Sequence, residues 1–177
     1  MSTNRVMIAG SGGQGIILMG KLLAYVAMEE GKEVTFLPSY GAEMRGGTAN
    51  CSVIISDRPI SCPVVHKADI VVVMNQPSFE KFESAVEPGG SLFLNSTLIK
   101  DPVTRTDIEI YKVDANKLAE DAGIGRSANI VMLGAIVRQT GIVKIENVTK
   151  ALKKEFSGKK VVYLDANLLA FQAWKTG

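Results

Sequence analysis

Short hydrophobic runs alternate with helical stripes of hydrophobic residues along the chain. Runs typical of β-strands occur at residues 6–9, 34–37, 51–56 and 70–74. The continuous Val and Ile of the last run are typical of a strand buried on both faces in a parallel sheet. Between the first two strands, hydrophobic residues at helical spacing predict a helix over residues 14–30, with Gly31 as its C-cap. We expect Pro38 to stop the second strand.

The second half of the chain continues this alternation. Ser78 is predicted to cap a helix that buries Phe79, Phe82 and Val86 and is broken at residues 88–90. The remaining pattern predicts strands at 91–95, 108–113 and 161–164, helices over 127–140 and 145–156, and a helix capped by Asp165 that ends near Trp174. The helix over 127–140 is apolar nearly all round, so we expect it to be buried. Residues 1–177 are therefore predicted to form one Rossmann-like α/β domain, with three layers and a mostly parallel sheet.

Composition and charge argue against several classes of protein. Of the 177 residues, 46% are hydrophobic and 21% are charged, which is typical of a globular domain that can bury a core. The net charge of +2 and the aromatic content of 6% argue against nucleic-acid binding. The sequence contains no apolar run long enough to predict a membrane span. Because residue 6 already begins a strand, we expect no signal peptide and a cytoplasmic location.

Few residues offer catalytic or metal-binding chemistry. Cys51 and Cys62 are the two cysteines, and a disulfide between them is not expected in a cytosolic protein. An iron–sulfur cluster needs about four cysteine ligands, and one histidine with two distant cysteines does not make a zinc site. His66 is expected at the surface or at the edge of the core rather than as a catalytic base. The sequence therefore predicts no catalytic residue and no metal site in this chain.

A glycine-rich turn follows the first predicted strand. Gly10, Gly12 and Gly15 have the spacing of the dinucleotide-binding G-x-G-x-x-G motif, and Gly13 and Gln14 complete the turn. In that motif the glycines allow a tight turn and close approach of a ligand, and the following helix N-terminus can hold a phosphate. The motif also needs an acidic residue at the end of the second strand, and residues 35–39 contain none. NAD and FAD binding is therefore disfavoured, and a tight turn without a ligand remains an alternative.

A second glycine-rich segment lies between the second and third predicted strands. It combines Tyr40, Glu43 and Arg45 with Gly46 and Gly47. In a Rossmann-like sheet such a loop lies at the carboxyl edge of the strands, beside the glycine-rich turn. The Arg45 guanidinium can bind a carboxylate or a phosphate, which favours a ligand- or partner-binding surface. The alternative is a solvated loop in which Arg45 pairs only with Glu43.

Taken together, these motifs resemble one known family. Residues 10–15 and 39–47, the strand at 51–56 and the helical segment 126–135 are similar, in the same order, to the gamma subunit of 2-oxoacid:ferredoxin oxidoreductases, such as those acting on pyruvate and 2-oxoglutarate. The resemblance covers essentially the whole chain. The same domain occurs inside single-chain pyruvate:ferredoxin oxidoreductases, and a related subunit serves indolepyruvate:ferredoxin oxidoreductase.

The resemblance implies a subunit of an enzyme complex that has no catalytic residues of its own. Such a complex decarboxylates a 2-oxoacid on thiamine diphosphate and Mg²⁺, passes electrons through iron–sulfur clusters to ferredoxin, and forms an acyl-coenzyme A. The alpha and beta subunits hold the thiamine diphosphate, and the clusters lie in beta or ferredoxin-like subunits. The gamma subunit alone binds none of these groups; it packs against the catalytic subunits and helps to shape the coenzyme A site. The chain length fits enzymes acting on 2-oxoglutarate or a related acid.

This interpretation also identifies the contact residues. The residues expected to touch a ligand or a partner are Gly10, Gly12, Gly13, Gln14, Gly15, Tyr40, Glu43, Arg45, Gly46, Gly47 and Asn129. Two alternatives remain open: a stand-alone nicotinamide- or flavin-dependent oxidoreductase, and a scaffold whose loops only bury against partners. We expect the isolated chain to be inactive, and to ignore NAD unless it is the stand-alone enzyme.

Overall fold

The computed structural model of the protein describes residues 2–40 and 48–175 as a six-stranded sheet with helices on both faces. The strands are β1 (Thr3–Ser11), β2 (Glu33–Tyr40), β3 (Thr48–Ser56), β4 (Ala68–Val73), β5 (Val86–Asn95) and β6 (Glu109–Val113). The helices are α1 (Ile16–Glu29), α2 (Gln76–Phe82), α3 (Ala115–Asp121), α4 (Ala128–Thr140), α5 (Ile145–Glu155) and α6 (Leu164–Ala173). Short 3-10 helices span Glu83–Ala85, Gly125–Ser127 and Gly158–Tyr163. In this part of the chain no helix has both the length and the hydropathy needed to cross a bilayer.

Five of the six strands point the same way. The strand order is β2-β3-β1-β4-β5-β6, and β3 runs antiparallel to its two neighbours, β1 and β2. The strands β1, β4, β5 and β6 pair in parallel, with Ala9 opposite Val73 and Val73 opposite Leu94. The prediction of an α/β domain with a mostly parallel sheet is therefore confirmed. The carboxyl ends of these parallel strands meet at one edge of the sheet, which we call the carboxyl edge.

Two hydrophobic cores cover the two faces of the sheet. The larger core packs α1 and α4 against Ile8 and Val72, and α3, α5 and α6 close around it. The smaller core packs α2 against Val71 on the opposite face. Helix α4 is buried from Ala128 to Val137, because α1, α3, α6 and the sheet surround it. The predicted burial of this helix is therefore confirmed.

Several predicted element boundaries are wrong. Strand β2 continues through Pro38, because β2 is the outermost strand and an edge strand tolerates a residue without an N–H. Helix α2 is capped by Asn75, whose Oδ1 accepts a hydrogen bond from the Ser78 N–H at 3.1 Å. Val86 and residues 88–90 belong to β5, where the pairing with β4 shifts register. Turn-forming residues therefore lie inside a strand, at an irregularity that the sequence pattern does not predict.

The C-terminal part of the chain differs most from its predicted elements. Residues 161–164 form no strand, because Gly158–Tyr163 is a 3-10 helix with exposed apolar side chains. The hydrophobic pattern also does not predict the short helix α3. Ser127 occupies the N-cap position of α4, but its hydroxyl donates to the Asn167 Oδ1 at 2.7 Å instead of accepting a backbone N–H. Asp165 lies in the first turn of α6 rather than at its cap.

The two cysteines have different environments. Both thiols are free; Cys51 is buried beneath α1, with its Sγ 3.7 Å from the Ile16 carbonyl oxygen, and Cys62 is exposed. Burial raises the pKa of the Cys51 thiol to about 12, because the thiolate loses its hydration there. His66 is exposed, as predicted. The reactive thiolate form of Cys51 is therefore scarce at neutral pH.

This difference predicts a selective thiol reaction. With a disulfide reagent at about pH 8, we expect one thiol per chain to react fast in the native protein and a second to react only on unfolding. The Cys62→Ser variant should lose the fast phase, and Cys51→Ser should keep it. Two fast thiols in the native protein would contradict the burial of Cys51.

Candidate functional site

The glycine-rich turn joins β1 to α1 at the carboxyl edge. Strand β1 ends at Ser11, and the N-cap of α1 is Gly15. Gly13 and Gly15 have φ angles of 91° and 72°, in the left-handed region that favours glycine. The Gln14 N–H closes the turn by donating to the Ser11 carbonyl at 3.2 Å. The turn predicted from the sequence is therefore present, with its backbone fixed by local hydrogen bonds.

The Gln14 side chain ties this turn to the neighbouring strands. Its Oε1 accepts from the Ser11 N–H at 2.7 Å, and its Nε2 donates to the Met74 carbonyl at 3.2 Å. The buried Asn95 at the end of β5 donates to the same carbonyl at 3.2 Å and to the Asn116 Oδ1 at 2.8 Å. A hydrogen-bonded chain of amides thus runs from the turn, across the ends of β4 and β5, to α3. The amide of Gln14 is used to position the turn.

Two glycines of the turn are sites of close approach. A Cβ at Gly10 would lie 2.6 Å from the Ile16 Cδ1, and a Cβ at Gly15 would lie 2.3 Å from the Asn129 Nδ2. The Asn129 Nδ2 also donates to the Gly15 carbonyl at 3.3 Å. The structure therefore brings Asn129 of α4 against the turn, although 114 residues separate it from Gly15. Gly12, by contrast, is exposed.

The first turn of α1 has neither a capping side chain nor an acidic residue of its own. The first backbone N–H groups of a helix have no partner within the helix, and the macrodipole places a partial positive charge there. An anionic group such as a phosphate or a carboxylate would satisfy both. The electrostatics of the turn therefore suit an anion.

A cleft of about 360 Å³ opens beside the turn. Its walls come from the turn, the start of α4, α5, α6 and the 3-10 segments, and its lining residues are Gly13, Gly15, Leu18, Ile124, Arg126, Ser127, Asn129, Ile130, Phe156, Tyr163 and Asn167. Most of the larger side chains are apolar, and the exposed Arg126 supplies a cation. An arginine can bind a phosphate through two parallel hydrogen bonds. The cleft thus suits a partly apolar molecule that carries an anionic group.

The second glycine-rich segment begins and ends at the same edge. The backbone of Tyr40, the last residue of β2, pairs with Ala49, and Thr48, the first residue of β3, pairs with Ser11. The Thr48 end of the segment therefore adjoins the glycine-rich turn, and the Tyr40 end lies one strand further away at the same edge. The intervening contact residues predicted from the sequence, namely Glu43, Arg45, Gly46 and Gly47, lie outside the described residues.

The position of β3 differs from what a dinucleotide-binding fold requires. In a dinucleotide-binding fold the second strand lies beside the first, and its terminal acid binds the ribose. Here β3 lies between them, so the end of β2 is two strand spacings, about 10 Å, away from β1. The residue paired with Ser11 is Thr48, which carries no charge. This topology, together with the missing acid, argues against NAD or FAD binding at the turn.

The surroundings of the turn show no clustered metal ligands among the described residues: across residues 2–40 and 48–175, no three His, Cys, Asp or Glu side chains lie together as metal ligands would. The Ser127 hydroxyl is buried and donates to Asn167. Arg5 pairs with Asp69 at 3.0 Å and with Glu87 at 3.2 Å, and all three lie near the opposite edge of the sheet. Arg126 and Tyr163 are not predicted as site residues from the sequence, because only the fold places them beside the turn.

Comparisons with known proteins show which family shares this sequence and fold. The family model for pyruvate ferredoxin/flavodoxin oxidoreductases matches residues 5–174. A ketoisovalerate oxidoreductase subunit, VorA, from Methanothermobacter marburgensis is 39% identical over 171 residues, which make up 96% of this chain and 35% of that subunit. The chain therefore spans about a third of the length of this relative.

Two solved structures have the same fold. The gamma subunit of a keto/oxoacid ferredoxin oxidoreductase from Geobacter sulfurreducens matches with a TM-score of 0.84 and 30% identity, over 98% of this chain and 97% of that subunit. A 2-oxoglutarate:ferredoxin oxidoreductase from Magnetococcus marinus, solved with 2-oxoglutarate, coenzyme A and succinyl-CoA bound, matches with a TM-score of 0.88 and 25% identity. That match covers 97% of this chain and 30% of the longer chain. The domain thus occurs both as a separate subunit and within a longer polypeptide.

Proposed function

Because the chain belongs to the pyruvate ferredoxin/flavodoxin oxidoreductase family, we propose that it is the gamma subunit of a multi-subunit 2-oxoacid:ferredoxin oxidoreductase. The observation that carries this proposal is the match, over nearly the full length of both chains, to a separate gamma subunit. The complex would oxidatively decarboxylate a 2-oxoacid such as 2-oxoglutarate or pyruvate, reduce ferredoxin and form an acyl-coenzyme A. Residues 1–177 would act as one domain in the cytoplasm.

The catalytic groups of such a complex would lie in its other subunits. The described residues contain no cluster of metal ligands, and of the two thiols one is buried and one is exposed. These residues do not fit an iron–sulfur cluster or the Mg²⁺ ion of thiamine diphosphate. We therefore assign the thiamine diphosphate to the alpha and beta subunits and the clusters to the beta or ferredoxin-like subunits. The contribution of this chain would be binding and positioning.

The chemistry of coenzyme A fits the candidate site. Coenzyme A carries phosphates at one end of a long, partly apolar arm, and the site combines a helix N-terminus, Arg126 and an apolar cleft. The exposed Gly12 and Gly13 would let phosphate oxygens approach the backbone. This chain would thus hold part of coenzyme A while the thiol end reacts on the catalytic subunits.

The second glycine-rich segment would complete this contact surface. One end of the segment adjoins the turn through the pairing of Thr48 with Ser11, which supports a shared surface. We infer that Tyr40, Glu43, Arg45, Gly46 and Gly47 contact coenzyme A or a neighbouring subunit. The Arg45 guanidinium would bind a phosphate, or a carboxylate of the partner.

Reconstitution tests the proposed function. The purified chain should not reduce a viologen dye with any 2-oxoacid, and adding the alpha, beta and ferredoxin-like subunits should give reduction that requires both a 2-oxoacid and coenzyme A. Trials with 2-oxoglutarate, pyruvate and 3-methyl-2-oxobutanoate would identify the substrate. Turnover by the isolated chain, or NAD reduction by it, would favour the stand-alone oxidoreductase. Full activity of the other subunits without this chain would refute the proposal.

The Arg126→Ala variant distinguishes a ligand-binding subunit from a scaffold. We expect the KM for coenzyme A to rise about tenfold with an unchanged kcat, the effect of losing one hydrogen-bonded charge used in ground-state binding. The matched control is Arg58→Ala, an exposed arginine beside Thr3 at the opposite edge of the sheet. Unchanged coenzyme A kinetics in Arg126→Ala would assign the cleft to a scaffold role.

A further inference from the structure

An exposed apolar segment lies between α5 and α6. All residues of the 3-10 helix Gly158–Tyr163 are exposed, and its last three are apolar: Val161 is 55% exposed, Val162 75% and Tyr163 53%. Leu169 of α6 is also 58% exposed. Three consecutive exposed apolar residues are unfavourable on a monomer surface and typically mark an interaction site.

The same part of the chain is basic. From Lys144 to Lys175 the sequence contains seven lysines and three acidic residues, a local charge of +4 against +2 for the whole chain. Lys160 pairs with Glu155 at 2.8 Å. Lys153 and Lys159 are exposed and form no salt bridge with any of the described residues. Lys159 belongs to the same 3-10 helix as the apolar residues, so the apolar segment has a cation beside it that is available to an acidic partner.

The apolar segment is also continuous with the candidate site. Tyr163 lines the cleft that Gly13 and Gly15 border. A protein bound over residues 158–163 would therefore close one side of the cleft beside the glycine-rich turn. A partner at this position would lie next to any ligand that the turn holds.

We propose that residues 158–163 and Leu169, with Lys153 and Lys159, form the surface that docks on a thiamine diphosphate-bearing subunit of the complex. This inference rests on the proposed function. The partner surface would be apolar at its centre with Asp and Glu at its rim, the arrangement common to protein–protein interfaces. A second copy of this chain fits less well, because it would bring two basic surfaces together.

In some relatives this domain is part of a longer chain. The same domain makes up 35% of the VorA subunit and 30% of the Magnetococcus marinus chain. In those proteins the domain and the remainder of the chain are held together by the covalent backbone. A separate subunit lacks that link, so its association must come from surface contacts alone.

Matched aspartate substitutions test the surface. Val161 and Val64 are both 55% exposed, and Val64 lies in the connection between β3 and β4, beside Thr3 at the opposite edge of the sheet. We expect Val161→Asp to weaken binding to the reconstituted alpha and beta subunits by about tenfold or more, measured by calorimetry. The control Val64→Asp should stay within about twofold of wild type. Both isolated variants should melt as the wild type does, and Val162→Asp should repeat the effect of Val161→Asp.

A charge substitution tests the acidic rim. Lys159→Glu should slow association and weaken binding at low salt, and the difference from wild type should disappear near 1 M salt, where the screening length is about 3 Å. An equal effect at both salt concentrations would contradict the proposal that the partner has acidic residues at the rim of this interface.

The remaining outcomes separate this proposal from the proposed function. If Val161→Asp and Val162→Asp bind like wild type in an active complex, the docking surface is wrong and the gamma-subunit function stands. If the isolated wild-type chain dimerises and Val161→Asp abolishes the dimer, a second copy occupies the surface and the proposal is overturned. If the wild-type chain neither binds the other subunits nor contributes to activity, both proposals fail.

Discussion

Replacing Gly134 with alanine is expected to destabilise the protein by about 3 kcal/mol or more. A glycine-to-alanine change inside a helix ordinarily stabilises by about 0.5–1 kcal/mol. Here α4 crosses α6 so closely that a Cβ at Gly134 would lie 2.1 Å from the Phe171 carbonyl oxygen and 3.0 Å from its carbonyl carbon. These are backbone atoms, so relief requires the two helices to separate. That separation would open the larger core.

A second helical glycine provides the control for this result. A Cβ at Gly20 in α1 would lie 2.5 Å from the Cys51 Sγ and 3.0 Å from the Phe36 Cε2, which are side-chain atoms. The Gly20→Ala variant should therefore lose less stability, and adding Cys51→Ala should recover part of the loss. Adding Phe171→Ala to Gly134→Ala should recover nothing, because the backbone carbonyl remains. Urea unfolding measures all four variants, and wild-type stability in Gly134→Ala would contradict the observed spacing of α4 and α6.

The Gly15→Ala variant is expected to lose about 3 kcal/mol from two separable causes. An alanine at a φ of 72° is strained, because the left-handed backbone conformation is unfavourable for a residue with a Cβ. In addition, its Cβ would overlap the Asn129 Nδ2. Moving Asn129 away would also break its hydrogen bond to the Gly15 carbonyl. Because this contact fixes the start of α1, the variant should lose coenzyme A affinity in the complex as well as stability.

Two further variants separate the two causes. Gly141 has a φ of 61° and open space where a Cβ would lie, so Gly141→Ala should show the backbone cost alone, about 1 kcal/mol. In the Asn129→Ala background, Gly15→Ala should cost only slightly more than Gly141→Ala, because the overlap with the amide is gone and a contact of 3.3 Å with the Cβ of residue 129 remains. A double-mutant cycle by urea unfolding gives the coupling energy. A coupling near zero would show that Asn129 does not restrict the turn.

The sequence predicts those elements that depend on residues close together in the chain. The strand–turn–helix unit around Gly10 and Gly15 and the buried strand β4 follow from periodicity and glycine spacing, and the structure contains both. Residues 161–164 were misread because an apolar run normally indicates burial. Helix α3 was missed because its short sequence has little hydrophobic periodicity. The antiparallel position of β3 is a long-range pairing, and no local pattern specifies it.

In the candidate site, too, the residues that are adjacent in the chain are predictable and those brought together by the fold are not. The turn residues and Gln14 are adjacent in sequence, so a local motif identifies them. Asn129 was identified only through the family resemblance, and its contact with Gly15 spans 114 residues. Arg126 and Tyr163 reach the cleft from other elements and carry no signal of their own. A single sequence therefore predicts the glycine-rich turn but not the walls of the cleft beside it.

The central position of β1 has a consequence for the growing polypeptide. Its partners β3 and β4 are made later, and at about 5–20 residues per second the stretch from Ser11 to Val73 takes roughly 3–12 seconds to synthesise. Val6 and Ile8 are fully buried in the folded protein, but during that interval the strands that pair with β1 are not both present to bury them. Exposed apolar strands of this kind are prone to aggregate. The nascent chain should therefore depend most on chaperones before β4 leaves the ribosome, and the strand that carries the glycine-rich turn is the one they would protect.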